Sequence, residues 1–155
     1  MTVSVLFVCL GNICRSPLAE AAFRDEAQRA GLAVTVDSAG TGDWHIGHPP
    51  DRRAQAVAQR NGVDISGLRA RQVLAADFHA FDHIVALDAQ NLRDLTALAP
   101  VNATARLSLL LDHVEGRAGE AVADPYYGED TGFDITWADV VAGAKGLAQR
   151  IAAER

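Results

Sequence analysis

The chain is short of cysteine, of lysine and of long apolar runs, and each shortage closes off a class of function. With only Cys9 and Cys14 among 155 residues there are too few thiols for a thiolate-rich zinc site. A chain of this size also carries enough apolar residues to form a core without disulfide staples. No apolar stretch is long enough to cross a bilayer, and the N-terminus lacks a charged region followed by a signal-type apolar segment. A cytoplasmic protein with no membrane partner is therefore expected. Lys145 is the only lysine, and arginine supplies almost all the positive charge, a mark of GC-rich, bacterial coding and not of function. The basic residues are dispersed and the net charge is −6 with a pI near 5.2, which argues against a nucleic-acid partner. His45 and His48 lie three apart in a loop with no third ligand nearby, so no metal and no cofactor are expected.

What the chain does contain is an alternation of strand-like and helix-like segments without repeats or linkers. Val3 to Val8 is a nearly unbroken apolar run, the pattern of a parallel strand covered on both faces. Leu18 to Arg29 reads as a helix stopped by Gly31, and Ala33 to Asp37 as a second strand. A loop rich in glycine and proline precedes a helix over about Arg52 to Arg60. Ile84 to Leu87 is a third strand, Gln90 to Leu98 a helix, and Arg106 to Leu111 a fourth strand. A last helix is expected over Asp134 to Ala153, packing through Ile135, Val140, Val141, Leu147 and Ile151. The expected fold is α/β: a single three-layer domain over residues 1–155, with a four-stranded parallel sheet flanked by helices and a phosphate-binding loop after the first strand.

That loop is Cys9-Leu10-Gly11-Asn12-Ile13-Cys14-Arg15-Ser16, set between the first strand and the first helix. A loop closing on an anion turns successive backbone N–H groups inward, and a following helix adds its partly positive N-terminus. Gly11 and Asn12 both suit the left-handed conformations of a tight anion nest, while Ser16 is expected to cap the helix and Pro17 fits its first turn. The same field favours the thiolate of Cys9, the nucleophilic form. Arg15 presents a planar, permanently charged fork that matches two equatorial oxygens of a phosphoryl group. The Ser16 hydroxyl can donate to the Cys9 sulfur and stabilise it as nucleophile and as leaving group. A buried structural cysteine would explain Cys9 alone, but it demands none of Gly11, Asn12, Arg15, Ser16 or Pro17.

A second element lies more than a hundred residues downstream, at Asp124-Pro125-Tyr126-Tyr127. Expelling a phenolate from phosphorus is easier when a carboxylic acid protonates the bridging oxygen, and the carboxylate left behind can activate water. Pro125 holds Asp124 extended, and the stretch from Gly119 to Gly132 reads as a loop able to hang over the cradle. Tyr126, Tyr127, Trp44 and Ile13 supply apolar walls for a flat aryl group.

With Asp37-Ser38-Ala39-Gly40-Thr41, Pro49-Pro50-Asp51-Arg52-Arg53-Ala54, Arg69-Ala70-Arg71-Gln72 and Asp88 with Asn91-Leu92, these motifs make the chain resemble the low-molecular-weight protein tyrosine phosphatases from end to end. The resemblance implies hydrolysis of phosphotyrosine through a phosphocysteine at Cys9, with Arg15 binding phosphate and Asp124 as general acid and base. It implies that Asn12, Ser16 and Ser38 brace the cradle by side-chain hydrogen bonds. Leu68 stands where several animal members place a histidine of that network. The resemblance further implies a reversible disulfide between Cys9 and Cys14 on oxidation. Isoleucine at position 13 accompanies phosphotyrosine in the family, whereas threonine accompanies the arginine phosphatases. The implied partner is a phosphotyrosine-bearing protein, a bacterial tyrosine kinase or its target, and the expected state is a monomer or weak self-association. Arsenate reductases of this fold relay a disulfide through later cysteines, and none follows Cys14.

Overall fold

Val5, Leu6, Phe7 and Val8 are wholly buried, because β1 (Val3–Cys9) runs through the middle of a sheet covered on both faces. The computed structural model describes residues 2–154. Its sheet has the order β2-β1-β3-β4, with β2 (Val34–Gly40), β3 (His83–Ala86) and β4 (Arg106–Leu109) all parallel to their neighbours. Alternate side chains of β1 enter two cores. Val5, Phe7 and Cys9 pack with α1 (Arg15–Arg29), α2 (Arg52–Arg60) and α5 (Thr131–Ala153), and the Phe7 and Phe23 rings meet at 5.6 Å. Leu6 and Val8 pack on the other side with α3 (Asp77–Ala80) and α4 (Ala89–Leu98), through Phe78 and Leu95. The expected three-layer α/β architecture is the one observed.

Several boundaries differ from expectation, and the differences shape the cradle. Helix α1 starts at Arg15, so Ser16 lies inside its first turn and does not cap it; no side chain among the described residues caps this helix. The helix ends as expected at Gly31, whose φ of 69° lets Leu32 N–H reach the Ala27 carbonyl at 2.9 Å. Strand β2 runs three residues past Asp37, setting Ser38, Ala39 and Gly40 beside Phe7, Val8 and Cys9. Strand β4 stops at Leu109, where Asp112 accepts from the Leu109 N–H and turns Leu110–His113 into a 3₁₀ helix. Helix α5 begins three residues before Asp134 and buries Val140, Leu147 and Ile151 as expected, but Ile135 is 62% exposed. Phe133 and Thr136 occupy the inward face at that level, which leaves position 135 pointing outward at helical spacing.

Candidate active site

The cradle is built by holding its carbonyls from outside. Thr41 N–H donates to the Cys9 carbonyl at 2.9 Å, Gly42 N–H to that of Leu10 at 2.9 Å, and Asp51 N–H to that of Ile13 at 2.8 Å. Among the described residues, the N–H groups of Gly11, Ile13, Cys14 and Arg15 have no protein acceptor, as an anion nest at a helix N-terminus requires. Within the cradle Asn12 takes the left-handed conformation, at φ 57°, and Gly11, which also tolerates it, does not. Gly11 is small for another reason, since a Cβ there would stand 2.9 Å from the ring of His45.

Asn12 is also the hub of the bracing network. Its Oδ1 accepts from Arg71 N–H at 3.0 Å, which orients the amide. Its Nδ2 then donates to Ser16 Oγ at 2.8 Å and to Ser38 Oγ at 3.0 Å, and Ser38 donates onward to Glu20 at 2.7 Å. Ser16 Oγ accepts from Asn12 and has its own proton to give, either to the Cys9 sulfur 3.0 Å away or to the Ala39 carbonyl at 3.4 Å; Asn12 N–H also approaches the sulfur at 3.3 Å. Burial raises the Glu20 carboxyl above its ordinary range, against the hydrogen bonds from Ser38 and Arg24. Leu68 packs against the core, and the network closes through Glu20.

Arg15 is 3% exposed and its Nη1 is committed twice, to Asp88 at 2.7 Å and to the Val122 carbonyl at 3.0 Å. Burial works against its charge, but the Cys9 sulfur, Asp88 and Asp124 more than offset this and hold its pKa above the ordinary value. Nε and Nη2 make no protein hydrogen bond among the described residues, which leaves them for an oxyanion. Asp124 lies 3.6 Å from Arg15 Nη2, and its own Oδ1 accepts from Tyr126 N–H at 3.1 Å. Cys9, Arg15 and Asp124 line one cleft of about 350 Å³ whose walls include Ile13, Trp44, Tyr126 and Tyr127. Cys14 lines it too; burial, followed by the charges of Asp51, Cys9 and Asp124, pushes its thiol up. Both cysteines are free.

A family model described as low molecular weight phosphotyrosine protein phosphatase matches residues 4–155. The chain belongs to this family. It is similar to the low molecular weight protein-tyrosine-phosphatase YfkJ of Bacillus subtilis, at 50% identity over 127 residues, 81% of each chain. The crystal structure of YfkJ from Bacillus subtilis superposes with a TM-score of 0.91 at 44% identity, covering 100% of this chain and 98% of that one. The crystal structure of a Drosophila arginine phosphatase gives a TM-score of 0.91 at 31% identity over 97% of this chain and 99% of that one.

Within this phosphatase fold the expected residues Cys9, Leu10, Gly11, Ile13, Cys14, Arg15, Trp44, Asp124, Tyr126 and Tyr127 all line the cleft. Asn12, Ser16 and Ser38 lie behind it as a connected set. Sequence reasoning missed Asp88 as the partner of Arg15, Glu20 as the end of the Asn12 network, Arg71 as its backbone anchor, and His45 as a wall, 6.2 Å from the Tyr126 ring. Only the placement of Asp88 and Arg71 in matched motifs hinted at them. Among the described residues no group of three metal-ligating side chains is present, and no helix is long and apolar enough to cross a membrane.

Proposed function

We propose that the protein hydrolyses phosphotyrosine in proteins through a phosphocysteine at Cys9. The observation that carries this reading is the convergence of Cys9, Arg15 and Asp124 on one cleft floored by unpaired backbone N–H groups. The phosphoryl group sits in the cradle with its charge met by those N–H groups and by Arg15, as a loose phosphoryl-transfer transition state needs. The Cys9 sulfur forms a bond to phosphorus as the bond to the tyrosyl oxygen breaks, and protonated Asp124 gives its proton to that oxygen. Asp124 then takes a proton from water as the water oxygen attacks phosphorus, and the sulfur leaves with the Ser16 hydroxyl beside it. Asp88 holds the Arg15 fork in place throughout.

The apolar walls at Ile13, Trp44, Tyr126 and Tyr127 suit an aryl ring, and the cleft volume is of the size that takes one. The likeness to a Drosophila arginine phosphatase makes phosphoarginine the competing substrate. Metal-free hydrolysis of a phosphotyrosine peptide beside a phosphoarginine peptide, with wild type and Cys9→Ser, separates the two. Cys9-dependent preference for phosphotyrosine is expected; preference for phosphoarginine overturns the substrate assignment, and no turnover of either overturns the enzyme reading. The natural substrate is read as a cytoplasmic phosphotyrosine protein, a bacterial tyrosine kinase or its target. Cys14, which lines the same cleft, is read as the resolving partner: once peroxide has oxidised Cys9 to its sulfenic acid, the Cys14 sulfur attacks the Cys9 sulfur, the sulfenic hydroxyl leaves with the Cys14 proton as water, and a disulfide closes. The same peptide assay after peroxide should recover with a dithiol in wild type and not in Cys14→Ser; equal recovery would remove that role.

A further inference from the structure

Asp124 is 38% exposed and has no hydrogen bond to the cradle, its distance of 3.6 Å from Arg15 being too long for one. Its position is therefore inherited from the loop that carries it, and that loop is held on both sides. On the N-terminal side, Val122 donates to the Leu87 carbonyl at 2.8 Å and accepts from Arg15 at 3.0 Å. On the C-terminal side, Arg53 Nη2 donates to the Tyr126 carbonyl at 2.9 Å and Nη1 to that of Gly128 at 3.4 Å. Asp124 sits two residues from the Arg15 tether and two from the Arg53 tether.

We propose that Arg53, held by Asp51, is a positioning residue that straps the acid loop to the cradle and so sets where the Asp124 proton is delivered. The strap rests on the reading of Asp124 as general acid. Its rigidity comes from the Asp51 carboxylate, which takes Nε and Nη2 of Arg53 at 3.1 Å each while also capping α2 by accepting from Arg53 N–H at 2.8 Å. The guanidinium lies 4.7 Å from the Phe133 ring centre, which fixes its plane from the α5 side. Asp51 closes the connection, since its N–H donates to the Ile13 carbonyl in the cradle at 2.8 Å. Two residues thus touch the cradle, the start of α2 and the acid loop. Burial opposes ionisation of Asp51, but the side-chain and backbone bonds from Arg53 hold its carboxyl below the usual range, so the pair stays charged. A lysine at 53 is a point donor and cannot reproduce a fork that serves one carboxylate and two carbonyls.

The test is kcat/KM of Arg53→Met with phenyl phosphate, whose leaving group needs a proton, against 4-nitrophenyl phosphate, whose leaving group needs it far less. A misplaced acid should lower the phenyl phosphate value by about 10- to 100-fold and the 4-nitrophenyl value by less than about 3-fold. Competitive inhibition by inorganic phosphate should be unchanged. In an Asp124→Asn background, adding Arg53→Met should have little further effect on phenyl phosphate, because both changes act on one proton transfer. Equal losses with the two substrates, weakened phosphate inhibition, or full additivity with Asp124→Asn would each make Arg53 a fold residue and overturn the strap. Absence of Cys9-dependent turnover in the wild type would overturn the proposed function and the strap together. A wild type whose leaving-group dependence requires Asp124 but not Arg53 would overturn the strap alone.

Discussion

Asn12 carries two demands at one position, a left-handed backbone at φ 57° and an amide that bonds Arg71, Ser16 and Ser38. Asparagine meets both, since its short amide side chain eases a conformation that costs other L residues roughly 1–2 kcal/mol. Asn12→Gly keeps the backbone and loses the amide; Asn12→Ala loses both. Urea unfolding should rank the variants below wild type, with alanine less stable than glycine by about 1 kcal/mol, and the reverse order would mean that backbone strain is not what asparagine relieves. At this scale the grouping of Cys9, Arg15 and Asp124 in one cleft was legible because a thiol, a fixed cation and a downstream carboxylate each stand in a recognisable local setting. Glu20, Asp88 and His45 were not, because an ordinary helix acid, an N-cap aspartate and a loop histidine acquire their roles only from neighbours distant in sequence.

At the scale of elements, the last residues of β2 form a wall of the cradle. A Cβ on Gly40 would lie 2.7 Å from the Leu10 carbonyl oxygen and 3.2 Å from Asn12 N, so any side chain there displaces cradle backbone. Gly40→Ala should cost about 1–3 kcal/mol as an overpacked contact and weaken competitive inhibition by inorganic phosphate. Unchanged inhibition would show that the cradle does not rest on β2. The sequence Ser38-Ala39-Gly40 reads as a turn by composition, and only pairing with Phe7, Val8 and Cys9 makes it strand. Tertiary pairing likewise overrides local pattern at Ile135, whose face of α5 is decided by where Phe133 and Val140 find the core. Strand β1 was legible from its apolar run, since a central strand covered on both faces leaves little choice of residue.

At the scale of the molecule, the order β2-β1-β3-β4 places the carboxyl end of β1 where the chain turns to opposite sides of the sheet, the crevice in which open α/β folds bind ligands. The global fold should lose stability in mild acid through His113. Burial, reinforced by Arg150, lowers its pKa from 6.5 to about 4, and its Nδ1 has no partner among the described residues while Nε2 meets Ser108 at 2.9 Å. The unfolded chain binds this proton first, so the contribution is complete above pH 6.5 and is lost as pH falls toward 4. Melting temperatures across that interval should fall more steeply for wild type than for His113→Gln; parallel curves would remove His113 from the acid response. The central claim, a covalent phosphoryl group on Cys9, is tested most directly by mixing the wild-type protein with 4-nitrophenyl phosphate, quenching by rapid denaturation during turnover, and mapping the adduct by mass spectrometry. One phosphoryl group on the peptide containing Cys9 is predicted, whereas turnover with no adduct, or an adduct on another residue, would contradict the account.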